Sequence, residues 1–165
     1  MTFLRHCVLD GCKTLTTGQE TALGQTGALT LLFVKNGSCH LPNEVGGALL
    51  AMAGDLLVLP KAAILLPAGT CTILRCQLSG SAPEEYAESL AGQVHLLPRG
   101  YCGSAQLLLA QLAEGQGQMP LALASALAYS LLCQVALAVQ QQNSLPPLVE
   151  EALAQIRDHY AEVYG

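Results

Sequence analysis

The chain has 165 residues, is 52% hydrophobic with a mean hydropathy of +0.41, and has charge on only 12% of its positions. This implies one domain, or one small domain with an appendage, that buries roughly 69% of its unfolded surface and needs no disulfide or metal to fold; disorder is excluded. Seven Lys and Arg stand against twelve Asp and Glu for a net charge of −5, and the basic residues never cluster, which excludes a free-standing nucleic-acid binder.

Charge at about half the usual quarter of residues leaves too few solvated side chains to cover a monomer, so part of the surface is expected to meet a partner. A homodimer is the simplest such assembly. At the N-terminus, MTFLRHCVLDG reaches Arg5, His6 and Asp10 before an apolar segment can form, so no signal peptide is expected and the location is read as cytoplasmic. The seven cysteines are then expected as reduced thiols. Two C-x4-C pairs, Cys7 with Cys12 and Cys71 with Cys76, lack the C-x2-C spacing and the nearby His pair of a zinc site, so no metal is expected.

The first 80 or so residues read as strands. ALTLLFVK (28–35), GDLLVLP (54–60) and TCTILRCQL (70–78) are short apolar runs divided by turn signals at Asn36-Gly37, Gly54-Asp55 and Pro67-Ala68-Gly69. Their spacing suggests a small antiparallel barrel or sandwich. No dinucleotide-binding or P-loop glycine pattern and no βαβ alternation occurs, and G-x-S-x-G is absent. Arg75 lies in the apolar strand and should share a face with Ile73; a guanidinium there needs a carboxylate or a ligand oxygen. Asp55 reads as a turn former.

PEEYAESLAG reads as a short helix with Glu84 and Glu85 in its first turn, and QVHLLP (93–98) as one more extended segment. Ser104 is a candidate cap for SAQLLLAQLAE. A long helix over 120–142 carries Leu121, Ala124, Leu127 or Ala128, Leu131, Val135 and Ala138 on one stripe. Residues from Gly115 to Val149 carry no charge, yet Ser, Gln and Tyr interrupt the run and no Lys or Arg flanks it. The expectation is therefore a helix buried on two sides, against its own barrel and a second copy, with no membrane span. QQQNSLPPLV breaks this helix, and Val149, Leu153, Ile156, Tyr160 and Val163 mark an amphipathic last one.

The order of these pieces resembles the N-terminal half of AraC-family transcriptional regulators. LLFVKNGSCHL (31–41) is similar to that family's strand, Gly turn and strand. Gly54-Asp55 through Pro60 is similar to its Gly-Asp, apolar run, Pro element, and ILRCQLSG (73–80) to its strand closing on Gly. LVEEALAQIRDHYAEVYG (148–165) resembles the helix that opens the family's DNA-binding half, with Ile156, His159 and Tyr160 carrying the signature. The resemblance implies a mostly β fold with C-terminal α: a cupin-like antiparallel β-barrel over 1–100, a helical dimerisation region over 101–143, and over 144–165 a linker and the first helix of an absent helix-turn-helix domain.

Cupin enzymes hold a metal through paired His motifs. This sequence keeps Gly54 and Pro60 of the second motif but has Ala62 for its Gly and Leu65 for its His; the first motif offers His40 and Glu44 without a second His. The function expected is that of a non-enzymatic, effector-sensing and dimerisation domain with no cofactor, meeting DNA only through the absent half. A cupin enzyme with a degenerate metal site and a ligandless dimerisation module are the alternatives. Arg5, Phe33, His40 and Arg75 are the ligand-contact candidates, and Leu127, Leu131 and Val135 the dimer-contact candidates. With no Trp and two Phe, a sugar-stacking platform is not expected; a small or apolar ligand is.

Overall fold

The computed structural model describes residues 5–24, 28–42, 48–115 and 117–143. The expected linker and final helix over 144–165, and Glu44, lie outside the described residues.

Among the described residues the chain runs β1 (Val8–Thr17), β2 (Thr21–Leu23), β3 (Leu29–Asn36), β4 (Ser38–Pro42), β5 (Ala48–Met52), β6 (Leu56–Leu59), β7 (Ala63–Pro67) and β8 (Cys71–Ser79). Then follow α1 (Ser81–Ser89), β9 (His95–Leu97), α2 (Gly103–Gly115) and α3 (Leu121–Asn143). The strands form two antiparallel sheets, β1-β8-β3-β6-β9 and β2-β7-β4-β5. This double-sheet, mostly β architecture with helices toward its C-terminal end agrees with the antiparallel β fold with C-terminal α that the resemblance implied.

Hydrophobic patterning explains why the larger sheet sits at the centre. β3 is buried at every position from Leu29 to Val34, and all of β6 is buried, as continuous apolar runs require when both faces of a sheet are covered. Alternation splits these residues between two cores. On one face Leu32, Val34, Leu57, Leu59, Cys71 and Ile73 meet Leu23, Cys39, Leu41, Ala51 and Leu65 between the sheets. On the other, Leu31, Phe33, Val58, Leu74, Cys76 and Leu78 meet the helices.

α2 contributes Ala105, Leu109 and Leu112, at helical three- and four-residue steps, to that second core. It starts at Gly103, so Ser104 lies inside the first turn and is not the expected cap. α3 packs beside α2 with Ala128, Leu131, Leu132, Val135, Ala138 and Val139 turned inward. Two polar ties fix it to the strand region: Ser125 Oγ donates to the Cys7 carbonyl at 2.7 Å, and Gln142 Nε2 to the Leu96 carbonyl at 3.2 Å. By length and composition Leu121–Gln142 could cross a bilayer. Here its inner stripe forms part of the domain core.

Among the described residues nothing covers the other side of α3. Leu121, which the periodicity assigned to the buried stripe, is 64% exposed, and Leu123 and Leu137 are 49% and 47% exposed. Between them Ala126, Ser130 and Cys133 are also exposed, giving a weakly polar stripe along the helix.

Candidate functional site

The four ligand-contact candidates do not converge. Arg75 is half-buried on the face of β8 that also carries Ile73, directed between the sheets, with Lys13 of β1 and Leu32 of β3 as its cross-strand neighbours. His40 alternates with Cys39 and Leu41, which enter the core between the sheets, so its ring points to the outer side of the smaller sheet. Phe33 points to the helix side of the larger sheet. Arg5 is exposed, ahead of β1.

Two polar neighbours accompany Arg75. Gln77 is next on the same face of β8, and Thr30 is its partner on β3. Thr30 is fully buried, and its hydroxyl has no hydrogen-bond partner. Such a group costs roughly 1–3 kcal/mol when left unpaired. Among the described residues Arg75 makes no ion pair. The position where a cupin metal site would place its last His is taken by Leu65, fully buried in the core between the sheets.

A second arrangement forms on the helix side, where β3 ends. There an open cavity of about 640 Å³ is bounded by Phe33, Lys35, Gly54, Arg99, Cys102 and Gln106. An adjoining cavity of about 320 Å³ shares Phe33, Lys35 and Gln106 and continues along α2 past Leu74, Ala110 and Glu114. Local backbone chemistry builds the first. The 53–54 turn is tied to β3 by the Gly54 N–H donating to the Val34 carbonyl at 2.8 Å. Asp55 accepts two backbone N–H groups through its two oxygens, Met52 at 2.9 Å and Arg99 at 2.9 Å. Asp55 therefore forms the turn read from the sequence and also pins the 98–102 loop. Gly54, at φ +97°, leaves the space through which the Arg99 stem passes; a Cβ there would lie 2.9 Å from Arg99 Cγ and Cδ. Cys102 Sγ lies within reach of the Leu97 and Gly54 carbonyls at 3.6 and 3.7 Å, and burial pushes its pKa up, which keeps the thiol protonated as a weak donor.

Sequence reasoning did not single out Lys35, Arg99, Thr30 or Gln77. For Arg99 a signal existed in the Gly-Asp pair, since a glycine at a turn can mark a close approach by another side chain. Leu131 and Val135 are fully buried in this chain's own helix-side core, and Leu127 is partly buried against it. Among the described residues the stripe left uncovered is the one from Leu123 to Leu137.

No family model and no curated protein sequence matches the chain. Solved structures do match. ToxT from Vibrio cholerae O395, bound to (E)-4-(8-methylnaphthalen-1-yl)but-3-enoic acid, superposes with a TM-score of 0.52 at 8% identity, covering 84% of this chain and 59% of that one. YhaK from Escherichia coli gives 0.42 at 14% identity over 58% of this chain and 44% of its own. The EutQ protein of Clostridium difficile gives 0.36 at 15% identity over 43% and 56%. The chain thus spans about half the length of the structures it matches. The superposition with ToxT shows a shared fold over most of this chain.

Proposed function

We propose that this chain is the effector-sensing and dimerisation domain of an AraC-type transcriptional regulator. It is a cytoplasmic, non-enzymatic module that binds a small molecule between its sheets and passes the change to a DNA-binding half outside the described residues. The observation that carries the reading is the unpartnered Thr30 hydroxyl, on the same inner face as Gln77 and Arg75, within an otherwise apolar interior. A ligand oxygen accepting from Thr30, with a guanidinium nearby, satisfies groups that the protein leaves unsatisfied. The likeness of fold to ToxT, whose structure holds a small organic acid, supports the same reading.

The dimer contact in this reading is the outward stripe of α3, Leu123, Ala126, Ser130, Cys133 and Leu137, with Leu127, Leu131 and Val135 backing it from the core. A second copy placing the same stripe against it would make an isologous contact. Sedimentation at micromolar concentration should give about twice 17.2 kDa, and Leu123→Glu with Leu137→Glu should give a folded monomer. A monomeric wild type would overturn the dimer; Thr30→Val and Arg75→Gln variants that keep the affinity for a screened effector would overturn the interior site. A ligandless dimerisation module is the second reading, favoured by the dense packing of Leu32, Leu57, Leu59, Leu65 and Ile73 between the sheets. It requires that no compound from a broad screen shift the thermal midpoint.

A further inference from the structure

We infer that the helix-side groove is a second binding site, separate from the interior one, for a small organic anion whose acidic group sits between Lys35 and Arg99 and whose apolar body lies on Phe33 and Leu74. Among the described residues the larger cavity is lined by two cations and by no carboxylate. The nearest acid in sequence, Asp55, has both oxygens committed to backbone amides, and among the described residues neither Lys35 nor Arg99 makes an ion pair. The N-terminal turn of α2 borders the same space through Cys102 and Gln106 and contains no acidic residue, so its dipole adds to the positive field.

The groove is also built for shape. Asp55 anchors the Arg99 backbone and Gly54 accommodates its stem, beside the cavity that Arg99 lines. Phe33, only 8% exposed, lines both cavities. The narrower cavity adds Leu74, Ala110 and Ala113 and ends at Glu114. An acid bound with its head toward Glu114 would meet a like charge, so the polarity is fixed: head at Lys35 and Arg99, body along α2. The larger cavity's volume lies within the roughly 300–1,000 Å³ usual for small-molecule sites. Carboxylates and phosphate monoesters share this chemistry.

The inference shares with the proposed function only the premise that the domain binds small molecules, and it is tested apart from it. Calorimetry on the full chain would compare 4-phenylbutyrate, its neutral twin 4-phenylbutan-1-ol, phenyl phosphate and inorganic phosphate. The acid should bind at least tenfold more tightly than the alcohol. Lys35→Gln and Arg99→Gln should each weaken it tenfold or more without moving the thermal midpoint of the free protein, since both side chains are exposed. Added salt should weaken it further. Tighter binding of phenyl phosphate than of phenylbutyrate would assign the site to phosphate monoesters; the reverse order would assign it to carboxylates. Equal binding of acid and alcohol, no binding at millimolar concentration, or binding that survives both groove variants would overturn the inference. Binding lost in Arg75→Gln but kept in Arg99→Gln would overturn it while leaving the interior site intact.

Discussion

Replacing Leu131 by Ala tests whether α3 uses this residue inside its own chain or across a dimer. Leu131 is fully buried in the helix-side core. The change removes apolar carbons worth about 2.5 kcal/mol in transfer free energy, at about 0.8 kcal/mol per methylene. A cavity term adds to this, because α3 is held on the sheet by its neighbours and can collapse only in part; Leu→Ala changes of this kind span about 2–5 kcal/mol. We expect about 3–4 kcal/mol. Leu137→Ala, on the outer stripe at 47% exposure, leaves no sealed cavity and should cost about 1 kcal/mol or less. Urea unfolding followed by circular dichroism reads the difference directly. At a slope of roughly 2 kcal/mol per molar urea, Leu131→Ala moves the midpoint down by about 1.5–2 M. A core residue exerts this effect equally at every protein concentration, whereas a subunit contact does not. A cost below about 1 kcal/mol, or one that vanishes on dilution, would show that Leu131 sits between subunits and that the packing of α3 described above is wrong.

Gly54→Ala places a Cβ at φ +97° against the Arg99 stem and should cost about 1–2 kcal/mol while displacing the guanidinium; a variant as stable as wild type would contradict the description of the turn. Gly80→Ala is expected to be more damaging, because at φ +108° its Cβ would run into the Arg5 carbonyl oxygen, and soluble expression with an unchanged thermal midpoint would refute that. Of the seven cysteines only Cys133 is exposed in the single chain, and it lies on the proposed dimer stripe, so a disulfide reagent should label one thiol quickly in the Leu123→Glu, Leu137→Glu monomer, more slowly in the dimer, and the rest only on unfolding; equal labelling of both forms would contradict the contact. Burial, chiefly, pushes the Cys7 thiol up to about 11 and the Cys39 thiol up to about 12 from the ordinary 9.0. The unfolded chain therefore loses these protons first. Their contribution to stability is complete below pH 9 and declines as pH rises toward 11 to 12, which a flat urea midpoint over that range would disprove.

Much of the fold was legible because the central strands are long apolar runs. ALTLLFVK, GDLLVLP and TCTILRCQL became β3, β6 and β8, and the short helix, the extended segment at 95–97 and the long helix stand close to their expected places. β2, β5 and β7 were harder to see, being short and built partly from exposed residues. Sheet membership was not legible: β3 and β4 are separated by Gly37 alone yet join different sheets, which depends on contacts distant in sequence. The inner stripe of α3 followed from its period. The period could not show which apolar face the chain itself covers, since α3 has apolar residues all round. Lys35 and Arg99 lie 64 positions apart and carry no motif that links them; the folded turn at Gly54 and Asp55 brings them to one cavity.

The five-stranded sheet is a partition with a core on each side, and this makes the protein a single cooperative body. β8 alternates along its length between the two cores, with Cys71 and Ile73 on one side and Leu74, Cys76 and Leu78 on the other. Neither core can loosen without stripping one face from the same strand. A chain cut before α2 would expose Leu31, Phe33, Val58, Leu74 and Leu78 together, a sticky sheet rather than a minimal barrel. A signal arriving from either side also needs no linker to reach the other: a rotamer change at a residue facing the sheets' interior is one backbone thickness away from the helices.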